Sequence, residues 1–151
     1  MSVGRPYVEE NSRERERLRA LVERLDEDGL RRPVNEDWTV AGILGHMAFW
    51  DAWALALVGK LERGLPFSPS DAEPEDVGTI NEATRPLIHA IAPREAARLA
   101  LGLAEETDRR VGALPTDRMW PEDAESPLNP LRASHRGAHL DEIEATLQGS
   151  S

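Results

Sequence analysis

The 151-residue sequence contains no cysteine, which excludes disulfides, thiolate metal sites and a cysteine nucleophile. Any thiol chemistry would have to use a thiol brought by a substrate. A basic excess is also missing: 18 Lys and Arg stand against 28 Asp and Glu, a net charge of −10 with His neutral. The resulting pI near 4.9 argues against a groove that tracks nucleic-acid phosphates, because such grooves are basic. Long apolar runs are absent too. The longest, Ile43 to Val58, is broken by Gly45, His46 and Asp51 and reads as too short and too polar for a membrane span. Met1 to Glu10 carries one arginine and no apolar run, so no secretory signal is expected and the cytoplasm is the expected compartment. No strand-length alternation, internal repeat, G-x-S-x-G elbow, P-loop or GxGxxG phosphate loop occurs.

What is present is a helical pattern in a chain that is 40% hydrophobic and 30% charged, the balance of a water-soluble fold. Its 16.8 kDa fits a single domain over residues 1–151. Leu18, Leu21, Val22 and Leu25 fall at i, i+3, i+4 and i+7, one stripe of a first helix whose other face is Arg and Glu. Asn11 followed by Glu14 has the form of a capping box, which puts the start near residue 12, and Gly29 and Pro33 end the pattern. A second helix opens at Thr39 as N-cap, with Trp38 and Ile43 spaced as a hydrophobic staple. Its stripe runs Ile43, Met47, Trp50, Ala54, Leu57 and Leu61 and stops before Gly64. It is more apolar than the first helix and is expected deeper in the core.

Gly64 to Gly78 is dense in Pro, Ser and carboxylates and has no periodicity. Roughly fifteen extended residues span about 50 Å, longer than a twenty-residue helix. The segment can therefore return along a bundle and let the next helix run parallel to the last. The third helical region, Thr79 to Leu114, is interrupted by Pro86 and Pro93, which predicts a kinked or two-piece helix. Pro93 suits the first turn of the second piece, with Leu99, Leu103 and Val111 among its apolar positions. After a turn-rich stretch, Pro115 to Pro127, that carries Met119 and Trp120, the last helix is expected from Asn129–Pro130 to about Gln148.

Three of the four histidines have suggestive positions. His135 and His139 form an H-x-x-x-H pair in the last helix, so both imidazoles face one side and can ligate one ion. The same spacing also suits two ordinary surface or core histidines. No Glu follows the first His, so the HExxH logic of metalloproteases is absent. His46 lies on the apolar face of the second helix, where a facing helix can add a third ligand, as bundle-core metal sites do. An antiparallel neighbour brings His46 level with the pair, although the residue count alone allows a parallel one. His89 has no partner in the sequence and reads as surface.

The segments N-E-D-W-T-V-A-G-I-L-G-H-M-A-F-W and H-R-G-A-H-L-D-E-I resemble the DinB/YfiT-like superfamily of proposed metalloenzymes, which includes the metal-binding domain of mycothiol-dependent maleylpyruvate isomerase. V-G-T-I-N-E before the third helix fits the same pattern, and the resemblance covers essentially the whole chain. It implies His46, His135 and His139 as metal ligands. The implied fold is all-α, a four-helix bundle, up-down-down-up, with a long crossover between helices 2 and 3 and, in this chain, a kinked helix 3. Some members carry Glu in place of the first His of the last helix; this chain keeps His135.

Three neutral imidazoles leave a divalent ion's charge uncompensated and a coordination position open, the arrangement that activates water or a thiol. Imidazole suits Zn, Ni, Mn and Fe alike, so composition does not choose among them. Glu142 shares the face of His135 and His139; it could accept a hydrogen bond from a ligand, act as a fourth ligand or serve as a catalytic general base, and an ordinary surface ion pair is the competing reading. Asp51 is poorly aligned with His46 and is expected to be solvated. Trp50, Trp53 and Trp120 are candidate walls of a partly apolar pocket. The reading is a metal-dependent enzyme of thiol S-transferase, isomerase or hydrolase type, with a low-molecular-weight thiol as possible cosubstrate and a small-molecule substrate. A binding protein without turnover, or a bundle with incidental histidines, are the alternatives. No nucleic-acid or membrane partner is expected. The resemblance also implies a homodimer, for which a second apolar stripe on helix 2 (Val40, Leu44, Leu55 and Val58) offers a surface.

Overall fold

The computed structural model describes residues 6–66, 74–114 and 131–149, which form six helices and no strand. Helix α1 spans Pro6–Arg24, α2 Glu27–Arg31, α3 Val40–Glu62, α4 Val77–His89, α5 Pro93–Ala113 and α6 Ala133–Gln148.

The expected leucine stripe of α1 is buried, with Leu18, Leu21, Val22 and Leu25 at most 8% exposed. The helix starts earlier than residue 12, because Tyr7 is itself buried among Leu57, Leu61 and Val111 and anchors the extra turn. Asn11 therefore sits inside α1, and the Asn11–Glu14 pair is not a capping box. Gly29 does not end the helical pattern either. It lies in α2, whose N-cap Asp26 accepts from the Gly29 amide at 2.8 Å and whose Leu30 is fully buried. The chain then turns through an isolated bridge between Pro33 and Thr39.

Thr39 caps α3 as expected, its hydroxyl accepting from the Gly42 amide at 2.9 Å, and Trp38 packs against the cluster that contains Ile43. Ile43, Met47, Ala54, Leu57 and Leu61 are buried. Val40, Leu44 and Val58 are at 0% exposure as well, so most of the second apolar stripe is already covered within the chain and gives no reason for a dimer. By length and composition α3 could cross a membrane, contrary to the sequence reading, but 67% of its most apolar window is buried inside the protein. Burial against other helices accounts for that composition.

The third helical region is in two pieces. The break falls at Ala90–Ala92, with Pro86 inside α4 and Pro93 at the start of α5, where its missing amide costs no helical hydrogen bond. The first piece begins at Val77, so Gly78 is helical; residues 67–73 of the long connection lie outside the described residues. On α5, Leu99 is 38% exposed, and the buried face is made instead by Ala96, Ala97, Ala100, Ala104 and Val111. Small side chains let α5 lie close on α3. The loop with Met119 and Trp120, and Asn129–Pro130, lie outside the described residues; α6 is helical from Ala133.

Contacts between helices run in a consistent order. On α1 and α6, Asn11 meets Ala133 and Arg17 meets Asp141. Between α1 and α5, Arg15 meets Asp108 and Arg19 meets Glu105. Between α3 and α5, Asp51 meets Thr107 and Glu62 meets Arg110. One core cluster joins α1, α2, α3, α5 and α6, and a second, around Val58 and Val111, fills the end near Tyr7.

Candidate metal centre

His46 is the seventh residue of α3, within two turns of its capped start, and is 8% exposed. His135 and His139 stand one above the other on α6. The three rings converge: centroids are 4.8 Å apart for His46 and His139, 5.5 Å for His46 and His135, and 4.6 Å for His135 and His139. One nitrogen of each lies within 4.8 Å of the others. Metal–imidazole bonds of about 2.0–2.1 Å put opposed nitrogens at most about 4.2 Å apart, so a small inward rotation of the rings closes the site on one ion. His46 and Asp51 on α3 face His139 and Arg136 on α6 respectively, the antiparallel register that puts all three imidazoles at one level.

The electrostatics favour the ligand form. Burial, reinforced by the charge of His139, pushes the His46 pKa down to about 4. Burial, His139 and Arg132 push His135 down to about 3. Both rings are therefore neutral at pH 7, with lone pairs available. The buried Nδ1 of His46 has no hydrogen-bond partner, an uncommon state for a buried polar atom. Glu142 Oε1 lies 3.1 Å from His139 Nδ1. An ionised carboxylate only accepts, so Nδ1 carries the proton and Nε2 is left for an ion. The donor set, the neutrality of His46 and His135 and this carboxylate–imidazole contact fit a divalent metal.

The rings open onto a pocket of about 660 Å³ walled also by Trp50, Pro74, Val77, Asn81 and Arg132. Asn81 accepts from the Trp50 indole N–H at 2.9 Å and holds that ring upright. A smaller pocket of about 260 Å³, with Trp38, Glu82 and Glu142 in its wall, reaches His46 and His139 from the other side. Of the three expected tryptophans, Trp50 lines the site. Trp53 does not: it packs against the cluster around Leu57 and Leu61. Trp120 lies outside the described residues. Trp38, expected only as a staple, packs its ring at a tilt against His46 with centroids 5.4 Å apart.

Asp51 is the main correction. It is 2% exposed rather than solvated, because it lies in the seam between α3 and the start of α6, against two arginines. There it accepts from Arg132 Nε at 3.1 Å and from Arg136 at 3.3 Å. Arg136, 1% exposed, grips Asp108 through its two terminal guanidinium nitrogens at 2.7 Å, and Arg15 reaches Asp108 at 2.8 Å. A buried chain of alternating charge thus runs behind the histidines across α1, α3, α5 and α6. The sequence signal for it was an arginine beside a helix face otherwise turned inward. His89 is exposed, as expected, yet engaged: its Nδ1 meets the Arg85 carbonyl at 2.9 Å, its Nε2 accepts from the Thr39 amide at 3.4 Å, and Trp38 covers it.

A family model described as the mycothiol maleylpyruvate isomerase N-terminal domain matches residues 12–144. No curated protein and no solved structure gives a significant match. The match spans most of the chain and all three histidines, and the chain belongs to this family, within the DinB/YfiT-like superfamily.

Proposed function

We propose, with membership of this family as the premise, that the protein is a metal-dependent enzyme of the thiol S-transferase, isomerase or hydrolase type. The observation that carries the proposal is the convergence of His46, His135 and His139 at the wall of an open pocket. A bound divalent ion supplies Lewis acidity, lowering the pKa of a water or low-molecular-weight thiol placed against it. The chain's residues do the rest. The three imidazoles would hold the ion without neutralising it, Glu142 fixes the His139 tautomer, and Trp50 offers an apolar wall to a small electrophile. Glu142 is also placed to take a proton released near His139. Zn, Ni, Mn and Fe all suit the donor set.

The four long helices α1, α3, α5 and α6 are read as one up-down-down-up bundle, folding as a single domain. Support comes from the order of their contacts, which rises together along α1 and α6 and along α3 and α5, and runs oppositely between α1 and α5. A cytoplasmic location and a homodimer remain expectations, the dimer carried by the family resemblance alone.

The test has two stages. Elemental analysis of protein purified without a histidine tag should find one divalent ion per chain. The loaded protein is then assayed against thiol acceptors and esters. Turnover that disappears with chelator supports the enzyme, and stoichiometric metal with no turnover across the panel points to a binding protein instead.

A further inference from the structure

Resting on the reading of the histidines as a divalent-metal site, we propose that Asp51 is a positioning residue that sets the metal affinity of the site by neutralising and restraining Arg132 and Arg136. Imidazoles bind an ion in their neutral form, so the ion would keep its full charge. The charged residues that flank His135 at the start of α6 are both cations, the N-cap Arg132 three residues before it and Arg136 one after. Arg132 lines the same pocket as the three imidazoles. Two positive charges this close to the ligands oppose a dication.

Asp51 answers those charges from α3. One oxygen accepts from Arg132 Nε at 3.1 Å, the other from Arg136 at 3.3 Å, and the Trp50 carbonyl accepts from Arg132 at 3.4 Å. Asp51 is five residues after His46 on the same helix, so the segment that presents one ligand also restrains the cations beside another. With Asp51 at 2% exposure and Arg136 at 1%, little water screens these charges. Asp108, paired with Arg136 and Arg15, serves the far side of the network and makes no contact with Arg132 in it.

The experiment is a Co²⁺ titration at pH 7, read by visible absorption and by competition with a chelator, on the wild type, Asp51→Asn, Arg132→Gln and the double variant. Co²⁺ affinity is measured without any assay of turnover. Asp51→Asn is expected to bind about tenfold or more weakly. Arg132→Gln is expected to bind more tightly than wild type, and the double variant close to it. Raising salt should leave the Asp51→Asn defect in place. A merely structural role for these residues shifts both single variants the same way, or neither, and that result overturns the proposal. If Asp51→Asn does not fold by circular dichroism, Arg132→Gln decides: tighter binding supports the proposal, unchanged or weaker binding overturns it. A wild type that binds no Co²⁺ overturns the metal reading itself, whereas wild-type binding without opposite shifts overturns only the role of Asp51.

Discussion

Asn11, in the second turn of α1, caps α6: its side-chain oxygen accepts from the Ala133 amide at 2.9 Å, and from the Arg132 amide at 2.8 Å. A helix that begins with no side-chain cap of its own thus has its start fixed by a residue more than a hundred positions earlier. The two histidines of α6 follow directly from that start. Asn11→Ala should destabilise the protein by about 1–2 kcal/mol, the scale of a lost N-cap. Urea unfolding followed by circular dichroism measures it, and an unchanged midpoint would show that water replaces the cap at no cost.

His135→Ala should abolish stoichiometric metal, since two remaining imidazoles lose the clustered donor set. Mass spectrometry of tag-free protein checks this. In the wild type, adding metal at a hundred times its Kd should raise stability by about 2.7 kcal/mol, and His135→Ala should gain much less.

Acid should weaken the metal-free protein well before its carboxylates titrate. Unfolded histidines take up protons near pH 6.5, while folded His46 waits until about 4 and His135 until about 3. Between these limits the unfolded state binds more protons, so stability is intact above about pH 6.5 and declines as pH falls. The loss between pH 7 and 5 should be on the order of 3 kcal/mol. Urea midpoints at the two pH values test this, and a flat profile would mean that the rings charge freely in the folded state.

Gly42→Ala should be costly because a Cβ there would lie 2.3 Å from His89 Nε2. A destabilisation of about 1–3 kcal/mol is expected. Adding His89→Ala removes the obstructing ring, so the double variant should recover much of the loss in a thermal melt. Equal melting points for single and double variants would place the strain elsewhere.

Arg136→Met should cost about 3–5 kcal/mol, because it strands Asp51 and Asp108 in the interior with fewer partners. Chemical denaturation reads this, and a loss below about 1 kcal/mol would indicate that water enters the network.

The histidine centre was legible in the sequence because its signals are local. H-x-x-x-H places two rings on one helical face whatever the tertiary fold, and His46 stands among apolar neighbours. What stayed hidden depends on which helix faces which. Asn11 and Glu14 match a capping box by spacing, but the buried Tyr7 extends α1 past them and frees Asn11 for another helix. Asp51 looked solvated because its two arginines lie some eighty residues away on α6. Trp53 shares a face with His46, yet seven residues amount to two turns, about 10 Å along the axis, which carries it beyond the pocket. Leu99 follows the hydrophobic pattern of a leucine-rich face, but the side of α5 that meets α3 is made of alanines.

A small residue on α3 bears on the seating of His46 as well. A Cβ on Gly45 would come within 3.9 Å of the Ala96 methyl and only 2.5 Å from Ile88, and His46 is the next residue along. The smallness of Gly45 therefore acts as a gauge: it sets how near α3 rests on Ile88 of α4, one residue away from His46, while Ala96 leaves room beside it. One added methyl group there, chemically inert and touching none of the three imidazoles, would have to push α3 and α4 apart.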